Sequence, residues 1–360
     1  MSAVVTSAGP APAVEDGDAP LLRVRDVVQE FHLPGKGTVH ACSGVSLDVR
    51  EGEALGVVGE SGSGKSTLVR SILQSPRPKS GQVLFQGRDM TRLSGKELLA
   101  TRRHVQTVYQ DPFGSLEPRW KALDIVAEPL VGYGVGDRHS RRARAAELLE
   151  MVGLDPAVHG QRKPAQLSGG QCQRVAIARA LALQPKLLIL DEAVSSLDVL
   201  SQSQVMILFE RLRTELGLAY LFVAHDLAVV KQVSDRVAVM YLGKLCEVGP
   251  AQELYAAPRH PYTSALLASV PSPVPGQRAV LHGRGRAPIT GEVPSALAPP
   301  SGCRFRTRCP RAQERCAVEA PRQRPVNEGT GSAGADNQST GGQEHTVACH
   351  FPIEQPGAAG

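Results

Sequence analysis

Three short runs of apolar residues, each followed at once by glycine or polar residues, stand out along the chain: Ala54–Val58, Leu187–Leu190 and Ala219–Ala224. Continuous apolar runs of this length are typical of strands buried on both faces of a parallel sheet. Apolar residues recur at helical spacing over Ser140–Val152, Cys172–Leu183 and Gln202–Leu216. The pattern predicts an α/β fold with the apolar strands at its centre.

Weaker patterns predict the elements around this centre. Further strands are predicted at Leu22–Val28, Val45–Val49, Gly81–Gly87 and Val105–Tyr109. A hairpin turning near Gly243 is predicted over Val237–Val248. A basic helix is predicted over Arg92–His104, and the pattern is helical from 111 to about 163.

Composition places the chain among soluble globular proteins. Its 360 residues are 42% hydrophobic and 21% charged, with a net charge of +5 that does not by itself indicate nucleic acid. No apolar run approaches the roughly 18 residues that span a membrane. Residues Met1–Pro20 are rich in Ala and Pro and carry acidic side chains, which predicts a disordered lead rather than a signal peptide. A cytosolic chain is expected to keep its seven cysteines free of structural disulfides.

The residues after the first apolar run match the P-loop pattern at each fixed position: Gly59, Glu60, Ser61, Gly62, Ser63, Gly64, Lys65, Ser66 and Thr67. Glycines let successive backbone N–H groups turn toward one anion, and the following helix adds its positive dipole end. The lysine suits the β- and γ-phosphates, and the Ser66 hydroxyl suits Mg²⁺. Because strand, loop and helix occur in order, a chance glycine-rich loop is the weaker interpretation. The chain is predicted to bind a nucleoside triphosphate.

A second candidate anion site opens the helical run at Cys172: Leu167, Ser168, Gly169, Gly170 and Gln171. An ordinary N-cap by the serine is the alternative, but a cap does not require two glycines. The sequence therefore favours a second phosphate-binding helix N-terminus.

Polar residues follow the other two apolar runs, where α/β sheets place their chemistry. Asp191 and Glu192 suit a Mg²⁺ ligand and a group that polarises water, and His225 follows the third strand on the same predicted edge. Gln110 lies where another strand gives way to a loop, and Asp198 lies in a turn after the acidic pair. Phe31, upstream of the P-loop, is either a core or edge residue or a platform for adenine.

These motifs, in this order over about Leu22–Val270, resemble the nucleotide-binding subunit of an ABC transporter. Gly59–Thr67 matches the Walker A loop, Gln110 the Q-loop, Leu167–Gln171 the LSGGQ signature, Leu187–Asp191 Walker B, Ser196–Asp198 the D-loop and His225 the switch histidine. Finer matches are similar to the F-type ATPase of peptide permeases: VYQDPFGSLEPR at Val108–Arg119, GGQCQR at Gly169–Arg174, AHDLAVV at Ala224–Val230 and HPYTSALL at His260–Leu267. One departure is Ala193, where proline is common.

The resemblance implies a RecA-like core with an antiparallel β subdomain and a helical subdomain at about 111–165, all within 21–270. It implies two subunits that sandwich ATP head to tail, so that one signature caps the nucleotide held by the other P-loop. Glu192 would be the general base and His225 would hold the γ-phosphate. Mg²⁺ would be bound by Ser66, Gln110 and Asp191.

The resemblance also implies partners: a D-type ATPase as the second subunit, two transmembrane permease subunits and a separate solute-binding protein. The chain would then be a peripheral ATPase at the cytoplasmic face of the membrane, importing oligopeptides or dipeptides. Nickel or another small solute is the alternative cargo. A soluble ABC ATPase acting on nucleic acid is disfavoured, because such chains usually carry two ATPase domains or long coiled-coil or zinc insertions.

Residues 271–360 differ in composition and carry four of the seven cysteines. Nine Arg and three Glu lie in Leu281–Pro325, which also contains Cys303, Cys309 and Cys316, while Cys349 follows a polar insertion at Asn327–Gln343. The spacing is not that of structural zinc pairs, whereas four thiolates can bind a [4Fe–4S] cluster. Unrelated free thiols are the other interpretation. The pattern resembles the cysteine tail of peptide-permease ATPases, which implies an iron–sulfur cluster in a C-terminal cysteine-containing extension.

Overall fold

The computed structural model describes residues 19–269, 289, 291–326 and 344–354. The strands are β1 Leu22–Leu33, β2 Gly37–Val49, β3 Ala54–Val58, β4 Ser80–Phe85, β5 Arg88–Asp89, β6 Val105–Val108, β7 Leu187–Asp191, β8 Ala219–Ala224, β9 Arg236–Tyr241, β10 Lys244–Pro250, β11 Arg324–Pro325 and β12 Thr346–Val347. The helices are α1 Lys65–Ile72, α2 Gly95–Arg102, α3 Pro112–Ser115, α4 Ala122–Gly132, α5 Arg138–Met151, α6 Pro156–His159, α7 Gly169–Leu181, α8 Val199–Leu216, α9 Leu227–Val233, α10 Ala251–Ala256, α11 Pro261–Ala268 and α12 Glu314–Val318. Short 3-10 turns lie at Met90–Arg92 and Pro164–Gln166.

The larger sheet has eight strands in the order β11-β12-β10-β9-β3-β8-β7-β6. Its central strands β9, β3, β8, β7 and β6 run parallel, and β10 returns antiparallel to β9. The apolar runs that predicted buried strands form β3, β7 and β8, each buried almost throughout. Parallel pairing therefore brings the carboxyl ends of these strands to one edge.

The smaller sheet is antiparallel, in the order β2-β1-β4-β5. Its strands β1 and β2 are longer than their apolar patterns predict, because the hairpin continues through polar residues and several bulges as far as Leu33 paired with Gly37. Backbone pairing rather than side-chain burial extends these strands, so apolar periodicity could not locate their inner ends.

Two apolar clusters form the core. One lies between the antiparallel sheet, helix α1 and one face of the central strands, and includes Val57, Leu68 and Ile189. The other packs the helices α4, α5, α7 and α8 against the opposite face, and includes Val126, Ile177 and Phe209. The fold is thus mixed α/β, with an antiparallel sheet and a helical layer, as the sequence predicted.

The basic helix is shorter than predicted, beginning at Gly95 and ending at Arg102. Ser94 and Glu97 form a capping box that fixes its start, a signal that the charge pattern alone overlooked. The helix after the P-loop glycines begins at Lys65, so the last residues of the motif already lie in its first turn.

The described C-terminal residues pack onto the central sheet. Strand β12 pairs with β10 and extends the central sheet, which the sequence pattern did not predict because two-residue strands carry no periodicity. The predicted N-terminal lead, apart from Ala19 and Pro20, and the polar insertion at Asn327–Gln343 lie outside the described residues.

Candidate nucleotide site

The P-loop connects strand β3 to helix α1 and requires glycine at its last turn. Gly64 caps the helix with a left-handed φ of 103°. A Cβ atom there would lie 2.2 Å from the carbonyl oxygen of Ala41 and 2.8 Å from the Met240 side chain. The loop is therefore pressed against strand β2 and the end of β9 so closely that only glycine fits.

Lys65 is buried inside the loop, with 4% of its surface exposed. Its Nζ donates to the carbonyl oxygens of Gly59, at 2.8 Å, and Glu60, at 3.1 Å. Burial lowers the pKa of this lysine, while the carboxylates of Glu192, Asp191 and Glu60 act in the opposite direction. A cation held this way is positioned to attract a polyphosphate.

Ser66 and Asp191 meet across the sheet edge. The Ser66 hydroxyl donates to Oδ1 of Asp191 over 3.4 Å. Burial, with the charge of neighbouring Glu192, raises the pKa of Asp191, and the Ser66 hydrogen bond partly offsets this. A hydroxyl and a carboxylate side by side supply the oxygen donors that Mg²⁺ prefers.

Glu192 and His225 are also brought together. Oε2 of Glu192 lies 3.5 Å from Nδ1 of His225. Glu192 adopts a left-handed φ of 51°, and its backbone N–H donates to the Val223 carbonyl on β8. Backbone strain of this kind persists where surrounding structure fixes it and is frequent at functional sites. The P-loop, both acidic residues and the histidine thus share one edge.

Gln110 is exposed just beyond β6, and its backbone carbonyl accepts a hydrogen bond from the Ser196 hydroxyl at 2.9 Å. Asp198 caps helix α8 by accepting from the Ser201 N–H at 2.9 Å. The hydrogen bond between Ser196 and Gln110 joins the segment after β6 to the turn after β7.

The second glycine motif lies at the N-terminus of α7, in the helical layer. Ser168 caps this helix, and Gln171 completes a capping box by accepting from the Ser168 backbone N–H at 3.0 Å. Leu167 is buried, while the exposed Ser168 precedes Gly169 and Gly170, which lie against Leu197 and Ser201 respectively. The capping alternative is therefore observed, with both glycines at the first turn of the helix.

Phe31 is half-buried near the end of β1, paired with Val39 of β2. The same strand β2 supplies the Ala41 carbonyl that abuts the P-loop. Its hairpin therefore borders the nucleotide site.

The four C-terminal cysteines line one small enclosed cavity, together with Phe305 and Arg306 among others. Burial raises the pKa of Cys303, Cys309 and Cys349, to about 12 for Cys349, whose pKa the other three sulfurs raise further. In the described part of the chain, no three His, Cys, Asp or Glu side chains are arranged to hold a metal ion. The three remaining cysteines, Cys42, Cys172 and Cys246, are buried and free.

The sequence pattern overlooked residues that support the P-loop from the C-terminal region. Arg308 forms an ion pair with Glu60, and the Tyr262 hydroxyl accepts from the Glu60 N–H at 3.0 Å. The only sequence signals were the arginine excess after 281 and the HPYTSALL segment, neither of which identifies a partner 200 or more residues away.

The site and fold together define a class. A glycine-rich loop between a buried parallel strand and a helix, with carboxylates at the end of a nearby parallel strand, is the arrangement of P-loop nucleoside triphosphatases. The antiparallel sheet and the helical layer with its own glycine motif make it an ATP-binding cassette.

Comparisons with known proteins agree. Residues 42–195 match the family model "ABC transporter", and residues 246–316 match "Oligopeptide/dipeptide transporter, C-terminal region". The chain is 44% identical over 338 residues to the oligopeptide transport ATP-binding protein AppF of Bacillus subtilis (strain 168), covering 92% of this chain and 97% of that one. It is 45% identical over 311 residues to YkfD of the same organism, covering 86% and 93%.

Solved structures are similar as well. A dimeric ATP-binding cassette, MJ0796, bound to ADP and Pi, superposes with a TM-score of 0.58 at 33% identity, covering 64% of this chain and 98% of that one. The cbiO1 protein of Clostridium perfringens gives 0.59 at 30% identity, covering 66% and 91%. The chain belongs to the ABC transporter ATP-binding proteins, in the oligopeptide/dipeptide branch, and is an ATPase of that family. None of the described helices has the length and apolar character needed to cross a bilayer.

Proposed function

We propose that this chain is the ATP-hydrolysing subunit of an importer for oligopeptides or dipeptides. The observation that carries the proposal is the shared sheet edge, where the P-loop lies beside Asp191, Glu192 and His225. The match of residues 246–316 to the oligopeptide/dipeptide transporter model supports the cargo class.

Each site residue has a proposed role. The P-loop Gly59–Thr67 binds the phosphates of ATP, and Phe31 lies against its adenine. Ser66, Asp191 and Gln110 hold Mg²⁺, which offsets phosphate charge when bound. Glu192 is the general base toward the attacking water, a role supported by its 3.5 Å contact with His225, which contacts the γ-phosphate.

The signature Leu167–Gln171 is proposed to cap ATP held by a second ATPase subunit, with Asp198 of the D-loop at the same interface. The exposed Ser168 and the half-buried glycines at the start of α7 support this, since a helix N-terminus offers unpaired N–H groups to an anion. The similar MJ0796 cassette is dimeric. A D-type ATPase is the proposed second subunit.

Two transmembrane permease subunits and a solute-binding protein are the further proposed partners, and nucleic acid is not. A groove between the central sheet and the helical layer supports permease docking, lined by Leu73, Tyr109, Pro129, Tyr133 and Leu183 among others. Tyr109 is 48% exposed directly before Gln110, so an inserted permease segment would contact the Q-loop. The chain would lie at the cytoplasmic face of the membrane.

We infer three regions: a lead at 1–20, a nucleotide-binding domain at 21–270 with its helical subdomain at about 111–165, and a cysteine-containing region at 271–360. Packing of α4, α5 and α7 in one apolar cluster supports the helical subdomain.

The base role is tested by Glu192→Gln. ATP binding should persist while hydrolysis falls by a factor of about 100 or more, because the amide cannot accept the proton of water. Glu215→Gln, an exposed glutamate on α8, is the matched control and should leave both unchanged. Turnover should be measured with the partner subunit's site disabled. Unchanged turnover would remove Glu192 from the base role.

We also propose that Cys303, Cys309, Cys316 and Cys349 hold a [4Fe–4S] cluster, which would supply a redox-active or structural link when bound. Support comes from the enclosed cavity that they share and from the backbone N–H groups of Phe305, Arg311 and Phe351, which lower the pKa of Cys303, Cys309 and Cys349 respectively against the rise caused by burial.

Anaerobic purification tests the cluster. Iron and sulfide near four per chain, with broad absorption near 400 nm, are expected. Zinc in place of iron, or neither metal, would contradict the proposal. Cys172→Ser, which changes a buried cysteine on α7 whose Sγ donates to the Pro164 carbonyl, should leave the iron content unchanged.

A further inference from the structure

The segment between Cys303 and Cys309 contacts the P-loop through an ion pair. The Arg308 guanidinium donates to both carboxylate oxygens of Glu60, at 2.7 and 3.1 Å. The Arg308 side chain is 6% exposed, and its Cζ lies over the Tyr241 ring, 5.8 Å from the ring centroid. Glu60 is the second residue of the P-loop, so a two-pronged ion pair ties this loop to a segment 248 residues away.

A second arginine of the same segment, Arg304, is linked to the P-loop indirectly, through the turn between β9 and β10. Arg304 donates to the Leu242 carbonyl and, at 2.8 Å, to the Ser43 hydroxyl. The next residue, Gly243, donates its N–H to the Ser63 carbonyl at 2.8 Å. Arg304 therefore holds the β9–β10 turn that holds the middle of the P-loop.

Phe305 lies between these two arginines and holds the segment by ring packing. Its ring packs 5.3 Å from Tyr241 and 5.2 Å from Tyr262, measured between centroids. The Tyr262 hydroxyl accepts from the Glu60 backbone N–H. Glu60 is thus held at its backbone by the aromatic cluster and at its side chain by Arg308.

The charge of Glu60 makes this arrangement matter for nucleotide binding. A carboxylate inside a loop that binds a polyphosphate opposes the ligand unless a cation compensates it. Burial lowers the pKa of Lys65, and the charge of Glu60, with those of Glu192 and Asp191, opposes that lowering, so the Glu60 charge acts at the phosphate-binding side chain itself. Arg308 supplies the compensating charge with a geometry that lysine cannot match.

We propose that Arg308 is a positioning residue for the ATP site: by neutralising and fixing Glu60, it makes the P-loop's nucleotide affinity depend on the Cys303–Cys309 segment. The inference rests on the proposed function only in that this P-loop binds ATP. It gives the C-terminal region a direct effect on the ATP site, and that effect does not depend on which ligand the cysteines hold.

The test is calorimetric titration of the full-length chain with Mg²⁺ and a non-hydrolysable ATP analogue. Arg308→Ala should weaken binding by about tenfold, because it leaves a half-buried carboxylate uncompensated beside the phosphates. Adding Glu60→Gln should restore affinity to within about threefold of wild type, since the opposing charge is then gone. In hydrolysis assays KM should rise while kcat changes little.

Arg315→Ala is the matched control. Arg315 also lies beside a cysteine and also donates two hydrogen bonds to a glutamate, Glu319, but away from the P-loop. Its loss should leave nucleotide affinity within twofold of wild type. If Arg308→Ala does not fold, Arg308→Gln with and without Glu60→Gln supplies the same comparison.

The outcomes separate cleanly. A wild-type chain that binds no nucleotide contradicts the proposed function. If wild type binds, unchanged affinity in Arg308→Ala, or a loss that Glu60→Gln fails to restore, overturns the positioning role alone.

Discussion

At the residue scale, the nucleotide site depends on a few side chains and glycines whose chemistry leaves little choice. Lys65 must be buried and still charged, Asp191 must stay beside Ser66, and Gly64 must accept contact with a neighbouring carbonyl. Motif spacing predicted all of these residues. It could not predict Arg308, because a surface-type arginine in a basic tail has the same local pattern whether or not it reaches Glu60.

A glycine comparison tests the residue scale. Gly64→Ala should lose nucleotide binding by a factor of about 100, since its Cβ would lie 2.2 Å from the Ala41 oxygen. Gly217, at the end of α8, also has a positive φ, of 63°, but nothing within 4 Å of an added Cβ, so Gly217→Ala should cost only backbone strain, about 1 kcal/mol of folding stability. Equal binding losses in the two variants, by calorimetric titration, would argue against packing as the cause.

At the element scale, buried strands and long helices followed their apolar patterns, whereas the hairpin β1–β2 and the short strands of the C-terminal region did not. The second group is held by backbone pairing and single polar contacts. Glu247, wholly buried on β10, accepts from the His260 N–H at 2.9 Å and pairs with His345 at 2.8 Å. It joins helix α11 and strand β12 to the central sheet.

His260 predicts how this junction responds to pH. Burial lowers its pKa from 6.5 to about 4, so the unfolded chain takes up the proton more readily than the folded one. The resulting stability is present above pH 6.5 and is lost as the pH falls toward 4. Between pH 7 and pH 4 the free energy of unfolding should fall by about 3 kcal/mol from this residue.

Urea unfolding at each pH measures that slope, with His260→Asn as the comparison. Asparagine keeps an N-cap acceptor for the Tyr262 N–H but does not titrate. Because Glu247 is present in both proteins, the difference between their pH profiles isolates His260. Parallel profiles would mean that the imidazole does not control acid stability.

At the scale of the whole molecule, one chain carries two glycine motifs on different layers, the P-loop on the sheet edge and the motif at the start of α7 for which anion binding is proposed. The proposed sandwich explains why both occur. In the assembled complex, Ser168→Cys should react with an ATP analogue bearing a thiol-reactive γ-phosphate.

The location of the bound nucleotide decides between cis and trans capping. Adding Lys65→Ala to the chain that carries Ser168→Cys should leave labelling intact, because the partner's P-loop holds the analogue. Ser203→Cys, on an exposed turn of α8, should stay unlabelled. Loss of labelling when Lys65→Ala and Ser168→Cys lie in the same polypeptide would contradict the proposed head-to-tail arrangement.

The sequence by itself determined the α/β class, the buried central strands, the order of the nucleotide motifs and the family, because apolar run length and motif spacing are local properties of the chain. Only the tertiary structure decided that the C-terminal region extends the central sheet. It also decided that Arg308 contacts the P-loop directly and that Arg304 contacts the turn beside it. Those contacts join residues about 60 to 250 positions apart. They depend on how sheets and helices pack and leave no period in the sequence.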